Sequence, residues 1–161
     1  MTSTGSEGER VFYRKFMVMV CAGLATLALA ARPAQAAARF GHPLRYIAFQ
    51  YAFAQRGKWY CWGGIGPSCF DCSGLIYVAY RRLHIPMPRT TYEMLASRLL
   101  VRISKRQARR GDLAFYGPEH VELVAGANVT FGAHAPGQRI SKTFDSGYWH
   151  PTAYYRVRGG G

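Results

Sequence analysis

The hydrophobic pattern of this 161-residue chain changes its period once, after Arg110. Before that point, apolar residues recur at helical spacing in residues 43–56 and in a second run that starts at Cys72 and ends near His84. After it, short runs alternate apolar and polar residues between turns rich in Gly, Pro and Asn. These predicted strands are residues 113–116, 121–124, 129–131 and 153–157. Helices first and strands after predict an α+β domain with an antiparallel sheet.

The first 36 residues are predicted to be a secretory signal peptide. A positively charged start precedes an apolar run over residues 16–31, and Ala34-Gln35-Ala36 offers a small-x-small cleavage site. The run is shorter than the ~20 apolar residues of a transmembrane helix. We therefore expect a secreted protein without stable membrane insertion after cleavage, in which residues 37–161 form one domain. An uncleaved N-terminal anchor is the alternative.

A basic stretch at residues 91–108 is predicted to be a further helix or an irregular segment. The cations expected on its charged face are Arg98, Arg102, Lys105, Arg106, Arg109 and Arg110. The whole chain carries a formal net charge of +13 at pH 7, and residues 37–161 keep +11 of it, because residues 1–36 hold four cations and two carboxylates. Such a charge indicates attraction to a polyanion, and a merely solvated basic surface is the alternative. Outside a cell the candidates are anionic cell-wall polymers, membrane surfaces and nucleic acid. Nucleic acid is not expected, because no recognised reading motif accompanies the arginines.

Three cysteines lie beyond the predicted signal peptide: Cys61, Cys69 and Cys72. An odd number in a secreted protein predicts one disulfide and one free thiol. We expect Cys61 to pair with Cys69, because Cys72 lies at a predicted helix start. Pairing of Cys69 with Cys72 is the alternative and would block that thiol. The spacing lacks the paired C-x-x-C and His pattern of a zinc site, so neither a metal nor a cofactor is expected.

Cys72 begins a helical apolar series that continues through Leu75, Ile76 and Ala79. Asp71, directly before it, is a preferred N-cap residue. The positive end of a helix dipole favours the thiolate, which is the nucleophilic form of cysteine. A reactive thiol is therefore predicted here, and a buried structural cysteine is the alternative.

Two of the five histidines follow the strand pattern and could serve such a thiol. His120 opens one predicted strand and His134 follows the next, so hairpin pairing can bring them together. A cysteine nucleophile needs a base to take its proton, and the base needs a polar partner to orient it. Cys72, His120 and His134 fit these three roles in that order. Structural or surface positions are expected for His42, His84 and His150.

Five segments in order resemble the signature of the NlpC-type cell-wall peptidases, which are papain-like cysteine endopeptidases of bacteria. The segments are Tyr60-Cys61-Trp62-Gly63-Gly64 with Phe70-Asp71-Cys72-Ser73-Gly74-Leu75, then Pro88-Arg89-Thr90-Thr91, Gly111-Asp112-Leu113-Ala114-Phe115, His120-Val121 with Gly126, and His134-Ala135-Pro136. Together they cover about residues 57–137.

The resemblance implies a papain-like α+β fold, with N-terminal helices and a catalytic Cys helix packed on a short-stranded antiparallel β-sheet. It implies hydrolysis of peptidoglycan stem peptides, between γ-D-glutamate and a diamino acid. By position, Cys72 is the nucleophile, His120 the base and His134 the orienting residue, and the Cys72 backbone N–H helps to hold the oxyanion. The implied substrate-binding residues are Tyr60, Asp71 and Ser73.

Some positions depart from the family pattern. Cys61 and Cys69 replace small or aliphatic residues, which supports the extra disulfide. Glu122 stands where glycine is commoner and Arg109-Arg110 where proline is commoner, and neither is expected to touch the catalytic residues. Structural hydrogen bonding is expected of Arg89 and Asp112.

The expected protein is thus a monomeric, secreted, cell-wall-associated cysteine endopeptidase whose basic surface supplies affinity for the wall. Two other functions remain open. One is a papain-like amidase or acyltransferase that acts on another amide. The other is a secreted basic wall-binding module whose catalytic pair is inactive.

Overall fold

Three helices occupy the first part of the folded domain. The computed structural model describes residues 42–160, and the predicted signal peptide at residues 1–36 lies outside them. The helices are α1 at Leu44–Ala54, α2 at Cys72–Arg81 and α3 at Thr91–Ala96, followed by a 3₁₀ turn at Lys105–Gln107. Among residues 42–160, none of the helices is long and apolar enough to cross a membrane.

A six-stranded antiparallel sheet forms the second part. Its strands are β3 at Leu100–Ile103, β4 at Leu113–Tyr116, β5 at His120–Gly126, β6 at Val129–Gly132, β7 at Ser141–Phe144 and β8 at Ala153–Val157. They lie in the order β3-β8-β4-β5-β6-β7, and two short parallel strands, β1 at Trp59–Tyr60 and β2 at Cys69–Phe70, pair separately. The predicted class, α+β with the Cys helix against an antiparallel sheet, is confirmed.

Helix α2 packs on this sheet through an apolar face. Leu75, Ile76, Ala79 and Tyr80 are all at most 1% exposed. Burial of a side chain as large as Leu or Ile contributes roughly 1.5–3 kcal/mol to folding. The helix ends at Arg81 instead of near His84 as predicted. The residues that follow form a turn, in which His84 adopts a left-handed conformation with φ of 60°.

A glycine-rich loop closes over the N-terminus of α2. The backbone N–H of Asp71 donates to the Gly64 carbonyl at 3.0 Å, and a Cβ on Gly74 would lie 2.0 Å from the same oxygen. Only glycine therefore permits this approach at Gly74. A disulfide joins Cys61 to Cys69 at the two ends of the loop, and Cys72 is a free thiol. The structure thus contains the expected pairing and leaves the helix-start cysteine unpaired.

Strand β5 separates the apolar core from the polar face of the sheet. Because successive side chains of a strand point to opposite faces, Val121, Leu123 and Ala125 enter the core beneath the helices. His120 and Glu122 lie on the opposite face. This alternation places a histidine and a carboxylate next to each other on one strand.

The prediction for residues 91–108 was wrong in its main part. Only α3 is helical, stabilised by a capping box in which Thr90 and Glu93 bond each other's backbone N–H. The chain then forms β3, an edge strand that pairs with β8 from Leu100 opposite Val157. The six cations therefore do not share one helical face. Strand β7 was missed altogether, since three of its four residues are exposed and give no hydrophobic signal.

Candidate active site

The free thiol of Cys72 lies at the first turn of α2, where it is 9% exposed. Asp71 caps the helix by accepting a hydrogen bond from the Gly74 backbone N–H. At the first two helical positions, the N–H groups of Cys72 and Ser73 have no acceptor within the helix. These two donors can therefore bind an anionic oxygen that forms beside the sulfur.

His120 lies next to the thiol and is strongly biased toward its protonated form. Burial disfavours the charged imidazolium, but interactions with the Cys72 and Glu122 side chains outweigh it and raise the pKa of His120 to about 9. Its Nε2 faces Glu122, at 3.2 Å from Oε1. Nδ1 is then the nitrogen left to exchange a proton with the Cys72 sulfur.

Glu122 is the centre of the hydrogen-bond network behind the thiol. It is 0% exposed, and its Oε1 faces His120 Nε2 at 3.2 Å and His134 Nδ1 at 3.2 Å. The hydroxyls of Thr143 and Thr130 donate to Oε1 and Oε2. Burial opposes ionisation of the carboxyl, but the hydrogen bonds from His120, His134 and Thr130 overcome it and lower the pKa of Glu122 to about 2. A full negative charge is thus held beneath two imidazole rings.

This position of Glu122 corrects the expectation that it would not touch the catalytic residues. The sequence prediction also placed His134 directly behind His120. The structure puts Glu122 there, and His134 contacts the same carboxylate oxygen, with the two imidazole centroids 5.5 Å apart. The contact between His120 and Glu122 could have been predicted from the sequence, because side chains two residues apart on a strand lie on the same face of the sheet.

Two aromatic residues that the sequence prediction did not select cover the histidine pair. Trp149 stacks on Tyr116 at 4.8 Å and lies 5.7 Å from His120 and 5.1 Å from His134, measured between ring centroids. The Tyr116 hydroxyl bonds Thr130, one of the donors to Glu122. Trp149 follows β7 and has no motif around it, so only the tertiary structure identifies it.

A cleft of about 700 Å³ gives access to the thiol. All three residues predicted to bind substrate lie on its wall, together with Cys72 and His120: they are Tyr60, Asp71 and Ser73. Exposed aromatic side chains of Trp62 and Tyr92 lie on the wall as well. Burial, followed by the nearby Cys72 and Asp71, raises the pKa of Tyr60, so its hydroxyl remains a hydrogen-bond donor at neutral pH.

Asp71 and Ser73 are tied to Arg89, which the sequence prediction treated as structural only. The Arg89 guanidinium bonds both carboxylate oxygens of Asp71 and lies 3.0 Å from the Ser73 hydroxyl. Asp71 therefore anchors Arg89 to the start of α2. Arg89 also lines the cleft, so its ion pair with Asp71 forms part of the wall beside the thiol.

His120, Glu122 and His134 are also spaced like metal ligands, with one donor atom from each within 4.8 Å of the others. The same atoms are, however, the ones that bond each other. The geometry is therefore satisfied by protons shared between the two imidazoles and the carboxylate.

The chain belongs to the NlpC/P60 family. The family model described as NlpC/P60 matches residues 57–158, a range that includes the thiol, both histidines and Glu122. This match confirms the resemblance to the NlpC-type peptidases that the ordered motifs indicate.

Two curated relatives and one solved structure illustrate the likeness. A probable endopeptidase p60 of Listeria monocytogenes is 38% identical over 96 residues, which cover 57% of this chain and 19% of the relative. The murein DD-endopeptidase MepH of Escherichia coli is 36% identical over 112 residues, covering 64% of this chain and 41% of that protein. The chain thus spans less than half the length of these relatives.

The solved structure is the peptidoglycan hydrolase RipB of Mycobacterium tuberculosis. It superposes with a TM-score of 0.66 over 89% of this chain and 78% of its own. At 24% sequence identity, the superposition shows that the fold is shared.

Proposed function

We propose that this protein is a secreted cysteine endopeptidase that hydrolyses the stem peptides of peptidoglycan. One observation carries the proposal: a free thiol at a helix N-terminus faces a histidine whose other nitrogen is held by a buried carboxylate. This is the arrangement that acyl transfer by a cysteine requires. The relative named a murein DD-endopeptidase supports peptidoglycan, which is also called murein, as the substrate.

The first half of the reaction forms a thioester on Cys72. The Cys72 thiolate, paired with the protonated His120, attacks the scissile carbonyl carbon. The carbonyl oxygen becomes an oxyanion, which the N–H groups at the start of α2 stabilise. As the C–N bond breaks, His120 Nδ1 gives its proton to the leaving amine. An acyl group remains on the sulfur.

The second half releases the acyl group with water. His120, now neutral, takes a proton from a water molecule, and the resulting hydroxide attacks the thioester carbonyl. The C–S bond breaks, the carboxylic acid product leaves, and the thiolate–imidazolium pair is restored. Glu122 keeps the imidazole oriented through both halves and stabilises its positive charge.

The cleft wall supports a stem peptide as the ligand. Tyr60 offers a hydroxyl donor, and the ion pair of Arg89 with Asp71 holds polar groups, together with Ser73, next to the thiol. We propose cleavage between γ-D-glutamate and the diamino acid. One relative is named a DD-endopeptidase, so a cut between two D-residues is the other bond to test.

Digestion of purified peptidoglycan tests this function. The native protein and Cys72→Ala are incubated with the wall, and the released fragments are read by mass spectrometry. We expect stem-peptide fragments from the native protein alone, and the cut position names the bond. Wall binding without cleavage by either protein would instead favour an inactive binding module, and cleavage of a different amide would favour an amidase.

A further inference from the structure

A second pocket, of about 540 Å³, lies on the sheet face opposite to α1 and α2. Val124, two residues after Glu122 on β5, lines this pocket. Thr130 belongs to both places, since it lines the pocket and donates to Glu122. The pocket is therefore separate from the thiol cleft and shares one wall with the catalytic network.

Cations surround the pocket. Lys105, Arg106 and Arg109 line it, and Arg109 is fixed there by donating to the carbonyls of Arg106 and Ala108. Lys105 forms an ion pair with Asp145 at 2.9 Å. Within residues 42–160, the Arg106 guanidinium makes no ion pair. The charge of the pocket is thus positive after its internal pairing.

Two acceptor or donor groups in the pocket lack a protein partner within the described chain. The Oδ1 atom of Asp145 is buried and has no hydrogen bond, although Oδ2 binds Lys105. The hydroxyl of Tyr154, a residue 9% exposed, bonds no described side chain or carbonyl. A buried carboxylate oxygen without a donor is costly, so it calls for a hydrogen-bond donor from a ligand.

We propose that this pocket binds a hydroxyl-bearing phosphate of the polyol phosphate type. The phosphate would lie against Arg106 and Arg109, and a ligand hydroxyl would donate to Asp145 Oδ1. An anion that carries no hydroxyl would leave that oxygen unsatisfied. A neutral polyol would leave the arginines without a counter-ion. Only a ligand with both groups satisfies both halves of the pocket.

The remaining lining fits the carbon chain of such a ligand. Val124, Val129 and Ala108 form an aliphatic floor for its CH groups. Single-stranded nucleic acid also carries phosphate and hydroxyl groups, but it binds through exposed aromatic platforms, and Tyr154 is buried. A chain of polyol phosphate units is therefore the favoured occupant.

Binding at this pocket does not require the thiol, so the test uses the Cys72→Ala form of the full chain. Calorimetry or NMR titration at about pH 8 compares three probes: glycerol 3-phosphate, glycerol, and methyl phosphate, whose dianion carries no hydroxyl at that pH. We expect glycerol 3-phosphate to bind about tenfold more tightly than either of the others, since it makes both sets of contacts. Equal affinity for glycerol 3-phosphate and methyl phosphate would overturn the proposal.

Variants separate the two halves of the pocket. Arg106→Gln should weaken both phosphate probes, whereas Arg81→Gln, which removes an exposed charge from α2, should weaken neither. Asp145→Ala should bring the ratio of the two phosphate affinities close to one. Tyr154→Phe keeps the volume and should selectively weaken glycerol 3-phosphate, which decides the matter if Asp145→Ala does not fold. An equal loss of affinity for the phosphate probes in Arg81→Gln and Arg106→Gln would contradict a specific site.

Phosphatidylglycerol vesicles present the same headgroup at a membrane surface. Arg106-dependent binding of such vesicles, without binding of free glycerol 3-phosphate, would overturn a site for a soluble polyol phosphate chain. Failure of this test leaves the peptidase assay unaffected, because the native protein would still cut peptidoglycan.

Discussion

At the scale of single residues, the charge on Glu122 governs the state of the histidines. A carboxylate that is 0% exposed is stable only because hydrogen-bond donors surround it. Its lowered pKa means that its contribution to folding is present above about pH 4.5 and is lost as the pH falls toward about 2. The raised pKa of His120 has the opposite pH dependence. The contribution of His120 to the free energy of unfolding is present below about pH 6.5 and is lost as the pH rises through about 9.

Replacing Glu122 by Gln should move the alkaline limb of the pH profile. Hydrolysis needs a protonated His120 for the leaving amine, so native kcat/KM should fall above about pH 9. Without the Glu122 charge, the pKa of His120 drops, and the limb should move down by about one pH unit, which alone costs about twofold at pH 8. The less firmly oriented imidazole should bring the total loss at that pH to about 10- to 100-fold. Stopped assays from pH 5 to 10 measure both. A uniform loss with an unmoved limb would contradict this role.

Trp149 should act by positioning the imidazoles rather than by binding substrate. Trp149→Ala should lower kcat by about tenfold with little change in KM, because it uncovers the His120 and His134 rings and admits water to their contacts with Glu122. Trp149→Phe should restore most of the activity. Tyr148→Ala is the matched control, since this neighbouring side chain is fully exposed and should have no effect. A larger effect on KM than on kcat would argue against positioning.

At the scale of elements, the sequence predicts those segments whose apolar spacing matches their burial. Helix α2 and strands β4 and β8 follow this rule, and their predicted starts agree with the structure. Strand β3 was not predicted, because Arg102 and the neighbouring cations on this edge strand give a sequence pattern that is also typical of the polar face of a helix. Strand β7 was not predicted, because Lys142 and its exposed neighbours lie at an edge of the sheet and contribute no apolar side chains to the core.

The same distinction separates the site residues that could be predicted from those that could not. Cys72, His120 and His134 stand in recognisable motifs at element boundaries, so their proximity follows from strand and helix order. Trp149 and Arg89 reach the site through loops, whose paths no periodicity encodes. Glu122 lies between these cases: its strand position was predictable, but its partners Thr130 and Thr143 come from two other strands.

The disulfide should stabilise the loop that closes over α2. Peptide mapping after alkylation should label Cys72 without reduction, and label Cys61 and Cys69 only after reduction. The paired Cys61→Ser and Cys69→Ser variant should lose about 2–3 kcal/mol of unfolding free energy, because the bond restricts the unfolded chain. Urea unfolding measures this loss. Labelling of Cys61 or Cys69 before reduction would show that the bond is absent in solution.

At the scale of the whole molecule, the two faces of the sheet differ in polarity. Its inner face supports α1 and α2, while its outer face carries the histidines, Glu122 and the basic pocket. The net charge of +11 on residues 37–161 gives the surface a general attraction to polyanions, which we propose retains the protein at the cell wall. The predicted signal peptide would bring it there.

Wall retention should depend on charge and on salt. A variant with Arg98, Arg102, Lys105 and Arg106 changed to Glu should sediment less with purified walls at low ionic strength. The native protein should also lose affinity as salt rises from about 0.05 to 0.5 M, because salt screens exposed charges over about 10 Å or less. Sedimentation that is unchanged in both experiments would exclude the basic surface as the source of retention.

Detection of an acyl-enzyme tests the central claim most directly. The native protein is mixed with a purified muropeptide, quenched in acid within milliseconds to seconds, and examined by intact-protein and peptide mass spectrometry. We predict an added mass equal to the acyl half of the cleaved stem peptide, localised to the peptide that contains Cys72 and absent from Cys72→Ala. Cleavage without any such adduct, or cleavage that persists in Cys72→Ala, would contradict the thiol mechanism.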